Sequence, residues 1–147
     1  MKKYRVDQLR NVAIISHGGA GKTTLAEAML FLGGAVDRFG KVDDGTSTMD
    51  YDPDEVKRKI SINASVAPVE WNGHKINLID TPGYSDFVGE VVGALRIADA
   101  GMVLVDAVSG VEVGTELTWR HADERSLPRM VVINRMDREN ANFDKAL

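Results

Sequence analysis

The sequence contains no cysteine. Disulfides, a thiolate zinc centre and a cysteine nucleophile are therefore excluded, and the absence fits a reducing compartment. Long hydrophobic runs are missing too. The longest apolar stretches, such as Met102-Val103-Leu104-Val105, fall far short of the ~20 residues a membrane span needs. After the basic Met1-Lys2-Lys3 comes Tyr4-Arg5-Val6-Asp7-Gln8 rather than an apolar segment, so no targeting signal is legible. Positive charge is not in excess: 18 basic residues stand against 22 acidic ones, for a net charge of −4. That balance argues against a surface built broadly for nucleic acid, though a local basic patch stays open, and no direct DNA binding is expected. No repeat or low-complexity tract stands out. The expectation is a cytoplasmic monomer with no membrane attachment.

What remains is ordinary in bulk and specific in detail. A chain of 147 residues, 44% hydrophobic, can bury one core. Residues 12–15 form a short apolar run that ends at a Gly-rich turn, the pattern of a buried parallel strand. Residues 24–32 read as a helix, with Leu25, Met29 and Leu32 at helical spacing and Gly33-Gly34 closing it. Residues 35–59 hold Asp, Gly, Ser and Thr in excess, with Pro53 and a Lys57-Arg58-Lys59 run. They predict a long, mobile loop with at most one short helix, and a loop of this length in a compact domain is usually functional.

Residues 62–71 alternate, with Ile62, Ala64 and Val66 pointing one way. Asn72-Gly73 makes a hairpin turn into a partner strand at 75–79. Pro68 suits an edge strand. Helices are predicted over 87–98 (Phe87, Val91, Leu95 and Ala98 on one face) and 113–125. Further buried strands are predicted at 102–105 and 130–133. Strands alternating with helices predict an α/β fold: a mostly parallel sheet with one antiparallel edge strand and helices on both faces. With the phosphate loop that follows the first strand, Ser16 to Thr23, it resembles the architecture of a P-loop NTPase of the Ras-like G-domain type. Residues 1–147 are read as one such domain, incomplete at the C-terminus: the chain stops in what reads as the start of a helix, and a helix and at least one strand are expected beyond it.

Three stretches carry the chemistry. Ser16-His17-Gly18-Gly19-Ala20-Gly21-Lys22-Thr23, followed by Thr24, stands between a buried strand and a helix. Backbone N–H groups there can cradle phosphates, Lys22 can reach the β- and γ-phosphates, and the Thr23 hydroxyl can ligate Mg²⁺. Ser16 stands where glycine or alanine is usual, and His17 packs beside the loop. Asp80-Thr81-Pro82-Gly83 ends a second apolar strand. Asp80 can hold Mg²⁺ through a water, and the Gly83 N–H can sense a γ-phosphate. The long loop should add a hydroxyl to the metal, from Ser61 first and from Thr46 or Thr48 behind it. Asn134-Arg135-Met136-Asp137 follows the last strand at the carboxyl edge, where α/β folds bind ligands. Asp137 can accept both guanine N–H donors, and Arg135 can lie flat on the base. Together these spacings point to a domain that binds GTP or GDP with Mg²⁺.

On these residues the chain resembles the translational GTPases, and among them bacterial elongation factor G. The similar stretches are 11–27, 44–50, 76–89 and 131–137, so the resemblance covers almost the whole chain. It implies a domain that binds GTP, docks on the ribosome and hydrolyses GTP to GDP and phosphate, with further domains following. Ribosomal-protection proteins and relatives of the peptide release factors share this domain and stay open as readings. Three departures stand out. The family reads His-Ile-Asp or His-Val-Asp where this chain has His17-Gly18-Gly19. It reads Arg-Gly-Ile-Thr where this chain has Arg58-Lys59-Ile60-Ser61. It reads Asp-Thr-Pro-Gly-His where this chain has Tyr84 last. The family histidine positions the attacking water, so the resemblance assigns the catalytic positions to Tyr84, Gly83 and Lys22, with slow or altered hydrolysis. The alternative is a GTP-sensing, ribosome-binding regulatory or protection factor with little hydrolysis.

Overall fold

The computed structural model describes residues 2–147. Five strands form one sheet in the order β2-β3-β1-β4-β5. These are β1 (Leu9–Ile15), β2 (Ser65–Trp71), β3 (His74–Asp80), β4 (Ala100–Asp106) and β5 (Arg129–Asn134). The β3–β1, β1–β4 and β4–β5 pairings are parallel, and β2 pairs antiparallel with β3. The helices are α1 (Lys22–Leu32), α2 (Pro53–Arg58), α3 (Val88–Ile97), α4 (Val113–Asp123) and the single turn α5 (Phe143–Ala146). The expected mostly parallel sheet with one antiparallel edge strand is what forms. No helix is long and apolar enough to cross a membrane among the described residues.

The pleat sorts the central strands into two cores. Ala13, Ile15, Ile79 and Val103 face one side and pack with Val91 and Leu95 of α3 and Ala122 of α4. Ile14, Leu78, Met102 and Leu104 face the other and pack with Ala26 and Leu30 of α1. Both faces are covered, so β1 reads as an unbroken apolar run instead of alternating. Because β1, β3, β4 and β5 run parallel, their last residues (Ile15, Asp80, Asp106 and Asn134) arrive at one edge. The loops that leave this edge carry all three chemical stretches of the sequence.

Three expectations need correction. The strand predicted from residue 62 begins at Ser65, and its inward face is Ser65, Ala67 and Val69, leaving Val66 60% exposed. The cause lies in side chains. The amides of Ile62 and Asn63 donate to Glu55 Oε1 (2.9 and 2.8 Å), and that of Ala64 donates to Glu90 Oε2 (2.9 Å). No backbone donor is left there for a ladder, and the pleat starts three residues late.

In α1 the buried stripe is Thr23, Ala26, Glu27 and Leu30, while Leu32 is exposed. The phosphate loop sets where the helix starts, and so which side meets the sheet. β5 is not buried as predicted: it is the second edge of the sheet, and Met130 and Val131 are 58% and 40% exposed. The loop over 35–52 contains no helix or strand. α2 follows it, started by a capping box between Asp52 and Glu55.

The β2 register has a direct check. Val69→Ala should cost about 2 kcal/mol in denaturant unfolding, as expected for emptying a buried aliphatic site. Val66→Ala should stay within about 0.5 kcal/mol. The reverse order would put β2 in the other register.

Candidate functional site

Between β1 and α1, six residues (16–21) turn the chain. Gly21 has φ 94°, and a Cβ there would lie 2.5 Å from Asn134 Nδ2, so both conformation and space demand glycine. The same Asn134 Nδ2 donates to the Ala20 carbonyl (2.9 Å), which ties the loop to the end of β5. Ser16 is fully buried, and its hydroxyl donates to the Leu104 carbonyl in β4. Lys22 Nζ lies beneath the loop and donates to the carbonyls of His17 (2.9 Å) and Ser16 (3.3 Å). Burial pushes this ammonium down to about 8, against the pull of Asp80 and Asp50. His17 turns outward, its Nδ1 accepting from the Gly114 N–H (3.3 Å) with Nε2 3.6 Å from Glu112.

Beside Lys22 lies a corner of oxygen atoms. Thr23 Oγ1 is 3.1 Å from Ser61 Oγ, and Ser61 Oγ donates to Asp50 Oδ1 (2.7 Å). Both Asp80 oxygens and Asp50 Oδ2 are buried with no hydrogen-bond partner. Burial raises the Asp80 carboxyl to about 7, and the nearby Thr23 hydroxyl and Lys22 ammonium only partly oppose it. Asp50 is raised as well, again by burial first. Two hydroxyls beside buried, unsatisfied carboxylates are hard oxygen donors that fit Mg²⁺. Among the described residues no group of three or more His, Asp or Glu side chains forms a protein-only cage. The set suits an ion that completes its shell with phosphate and water.

Of these, Lys22, Thr23, Asp50 and Ser61 line a cleft of about 440 Å³. Gly18, Gly19, Gly21, Lys22, Thr23 and Thr24 form one wall, with Ser61, Gly83, Tyr84 and Arg135 around it. A Cβ on Gly83 would lie 2.5 Å from both the Gly18 nitrogen and Lys22 Nζ, so only glycine fits there. The Tyr84 ring lies over Gly18, where a Cβ would meet it at 3.1 Å. Thr81 and Pro82 are buried supports, the Thr81 hydroxyl donating to the Ile14 carbonyl (2.7 Å). Ala20 is buried in the core. The Arg135 guanidinium is held by Asp106 (2.7 Å) at the rim. Met136 and Asp137 are exposed beyond it and do not line the cleft. Thr46 is occupied elsewhere, accepting from the Lys41 amide (3.0 Å).

Sequence reasoning missed three participants. Asp50 orients the Ser61 hydroxyl, yet it sits in a polar loop with no motif spacing to mark it. Lys59 lines the cleft, and the sequence marks it only as a departure from the glycine of the resembling family. Glu27 is buried inside α1, and its Oε1 accepts from the Ser47 hydroxyl (2.9 Å) and from the Thr48 and Met49 amides. A charged residue among the apolar positions of a helix was the one available signal, since such residues are almost never buried unpaired.

Comparison with known proteins matches this geometry. The family described as "Elongation factor Tu GTP binding domain" matches residues 7–147. A mitochondrial ribosome-releasing factor 2 of Candida dubliniensis is 44% identical over 147 residues, which is 100% of this chain and 18% of that protein. An elongation factor G of Dehalococcoides mccartyi is 43% identical over 99% of this chain and 21% of its own length. Among solved structures, a crystal structure of a Thermus thermophilus protein has a TM-score of 0.86 at 48% identity, over 88% of this chain and 20% of that one. Translation elongation factor SelB of Methanococcus maripaludis, solved with the GTP analogue GppNHp, has a TM-score of 0.69 at 24% identity, over 93% of this chain and 24% of its own. That last likeness concerns the fold alone.

The sheet order and the loops at its carboxyl edge are those of the G-domain fold. The chain belongs to the family of elongation-factor GTP-binding domains. It spans about a fifth of the length of the curated relatives it matches.

Glu27 accounts for how the loop after α1 is held. Glu27→Ala should remove hydrogen-exchange protection at the Thr48 and Met49 amides and lower stability by about 2–4 kcal/mol, the cost of stranding several buried donors. Unchanged protection there would mean that other contacts hold the loop.

Proposed function

We propose that this domain binds GTP with Mg²⁺ and hydrolyses it to GDP and phosphate on the ribosome, as part of an elongation-factor-G-like translation factor working in the cytoplasm as a monomer. Residues 1–147 are proposed to form one GTP-binding domain. The observation that carries the proposal is the oxygen corner: Thr23 and Ser61 hydroxyls 3.1 Å apart, with the unpartnered Asp80 carboxylate and Lys22 beside them.

In this reading Lys22 leaves the loop carbonyls and binds the β- and γ-phosphates, while the N–H groups of residues 18–23 surround them. Thr23 and Ser61 would hold Mg²⁺ directly and Asp80 through water, where the ion would neutralise developing phosphate charge. The Gly83 N–H would donate to the γ-phosphate. Release of phosphate frees this segment and the loop that Glu27 tethers. Asn134 braces the phosphate loop, and Arg135, Met136 and Asp137 close over guanine, Asp137 accepting the two base donors. Tyr84, lying over Gly18, is the group left to position the attacking water.

A second reading has support from Tyr84 itself. A phenol hydroxyl is a weaker general base than the imidazole that the resembling family carries at this position. A factor that senses GTP and turns it over slowly is the alternative, and ribosomal regulation or protection would then be its task.

GTP turnover with and without ribosomes separates the two readings. Strong stimulation supports the enzyme; tight GTP binding without stimulation supports the sensor. Lys22→Ala should abolish nucleotide binding, and unchanged GTP affinity would sink the phosphate-loop assignment. Asp137→Asn should move preference from guanosine to xanthosine nucleotides. Intact guanine selectivity would put the base contact elsewhere.

A further inference from the structure

Lys59 closes α2 in the left-handed conformation, with φ 58° and ψ 37°. A helix C-terminus commonly ends this way, and glycine is the residue that does so without steric cost. A side chain there is strained. The structural task at this position belongs to the backbone: the Lys59 N–H donates to the Glu55 carbonyl (2.7 Å). Glycine would do the same with less strain, so helix closure does not account for an ammonium.

The surroundings of the side chain do. Lys59 is exposed and lines the cleft together with Ile60 and Ser61. No ion pair engages it among the described residues. Two residues of chain reach at most about 7 Å, so Lys59 starts within one side-chain length of the Ser61 hydroxyl. That hydroxyl is 3.1 Å from Thr23 Oγ1, at the end of the cleft where the outermost phosphate would lie. Lys22 and Lys59 both line this cleft, Lys22 from the start of α1 and Lys59 from the end of α2.

We propose that Lys59 is a phosphate-binding residue that delivers a second cation, from the same chain, to the terminal phosphate of a bound guanosine triphosphate. The proposal rests on the nucleotide reading above and deepens it. A diphosphate lacks the phosphate that Lys59 would contact, so Lys59 would make the domain distinguish GTP from GDP. The backbone strain at position 59 is the cost of that charge, a pattern seen where strained residues sit at ligand sites.

The test uses the full chain with Mg²⁺ and measures affinity for GDP and for a non-hydrolysable GTP analogue. Lys59→Gly should raise the thermal midpoint by relieving strain. It should weaken the GTP analogue about tenfold, the worth of one charge-assisted contact, and leave GDP unchanged. Lys59→Arg should keep the wild-type preference, because it keeps the charge. If Lys59→Gly raises the midpoint but leaves the GTP-to-GDP affinity ratio as in wild type, Lys59 is a helix cap only and the proposal is overturned, while the nucleotide reading stands. If the wild-type chain binds neither nucleotide, both fall together.

Discussion

Asp80 sits at the end of β3 with its carboxylate buried and neither oxygen hydrogen-bonded. Such a group is expensive to bury, and burial accordingly pushes its proton affinity up towards neutrality. Much of the cleft is arranged around that cost. The ammonium of Lys22 is close enough to offset part of it, and is itself held below its usual range by burial. Thr23, Ser61 and Asp50 form a chain of hydroxyl and carboxylate contacts beside it. The arrangement is incomplete as protein alone, and an Mg²⁺ ion with a phosphate chain is the charge pattern that would complete it.

The sheet makes this possible by alignment. Four parallel strands end at the same edge, so residues far apart in sequence (Ser16, Asp80, Asp106 and Asn134) become neighbours without any long-range motif. Two side chains then fix loops that the backbone alone would leave loose. Asn134 holds the phosphate loop through Ala20. Glu27 holds residues 47–49 against α1. Two of the chain's departures from the resembling family also meet in space. Gly18 leaves room for the ring of Tyr84, which lies where a side chain on residue 18 would stand.

The apolar runs of β1, β3 and β4, the edge position of Pro68 and the three chemical stretches were legible because each depends on local spacing. What escaped depends on side chains reaching across the fold. Glu55 and Glu90 take up the amides of residues 62–64, and that shifts the start of β2. The helix start imposed by the phosphate loop rotates α1 away from Leu32. β5 reads as buried from its composition, but whether an apolar strand is covered depends on its neighbours, and here it is an edge. Asp50 enters the site by accepting from the Ser61 hydroxyl, a contact that crosses from one loop segment to another. Lys59 reads as a departure from the family's glycine and as one of three charges in a row, and its left-handed backbone shows only in the fold.

The most direct test of the central claim is the Mg²⁺ dependence of GTP binding, measured by calorimetry with ATP as the competitor. The account predicts a GTP complex that weakens by at least about tenfold when Mg²⁺ is chelated, equivalent to about 1.4 kcal/mol, and that ATP does not displace. Binding indifferent to Mg²⁺, or shared equally with ATP, would contradict it.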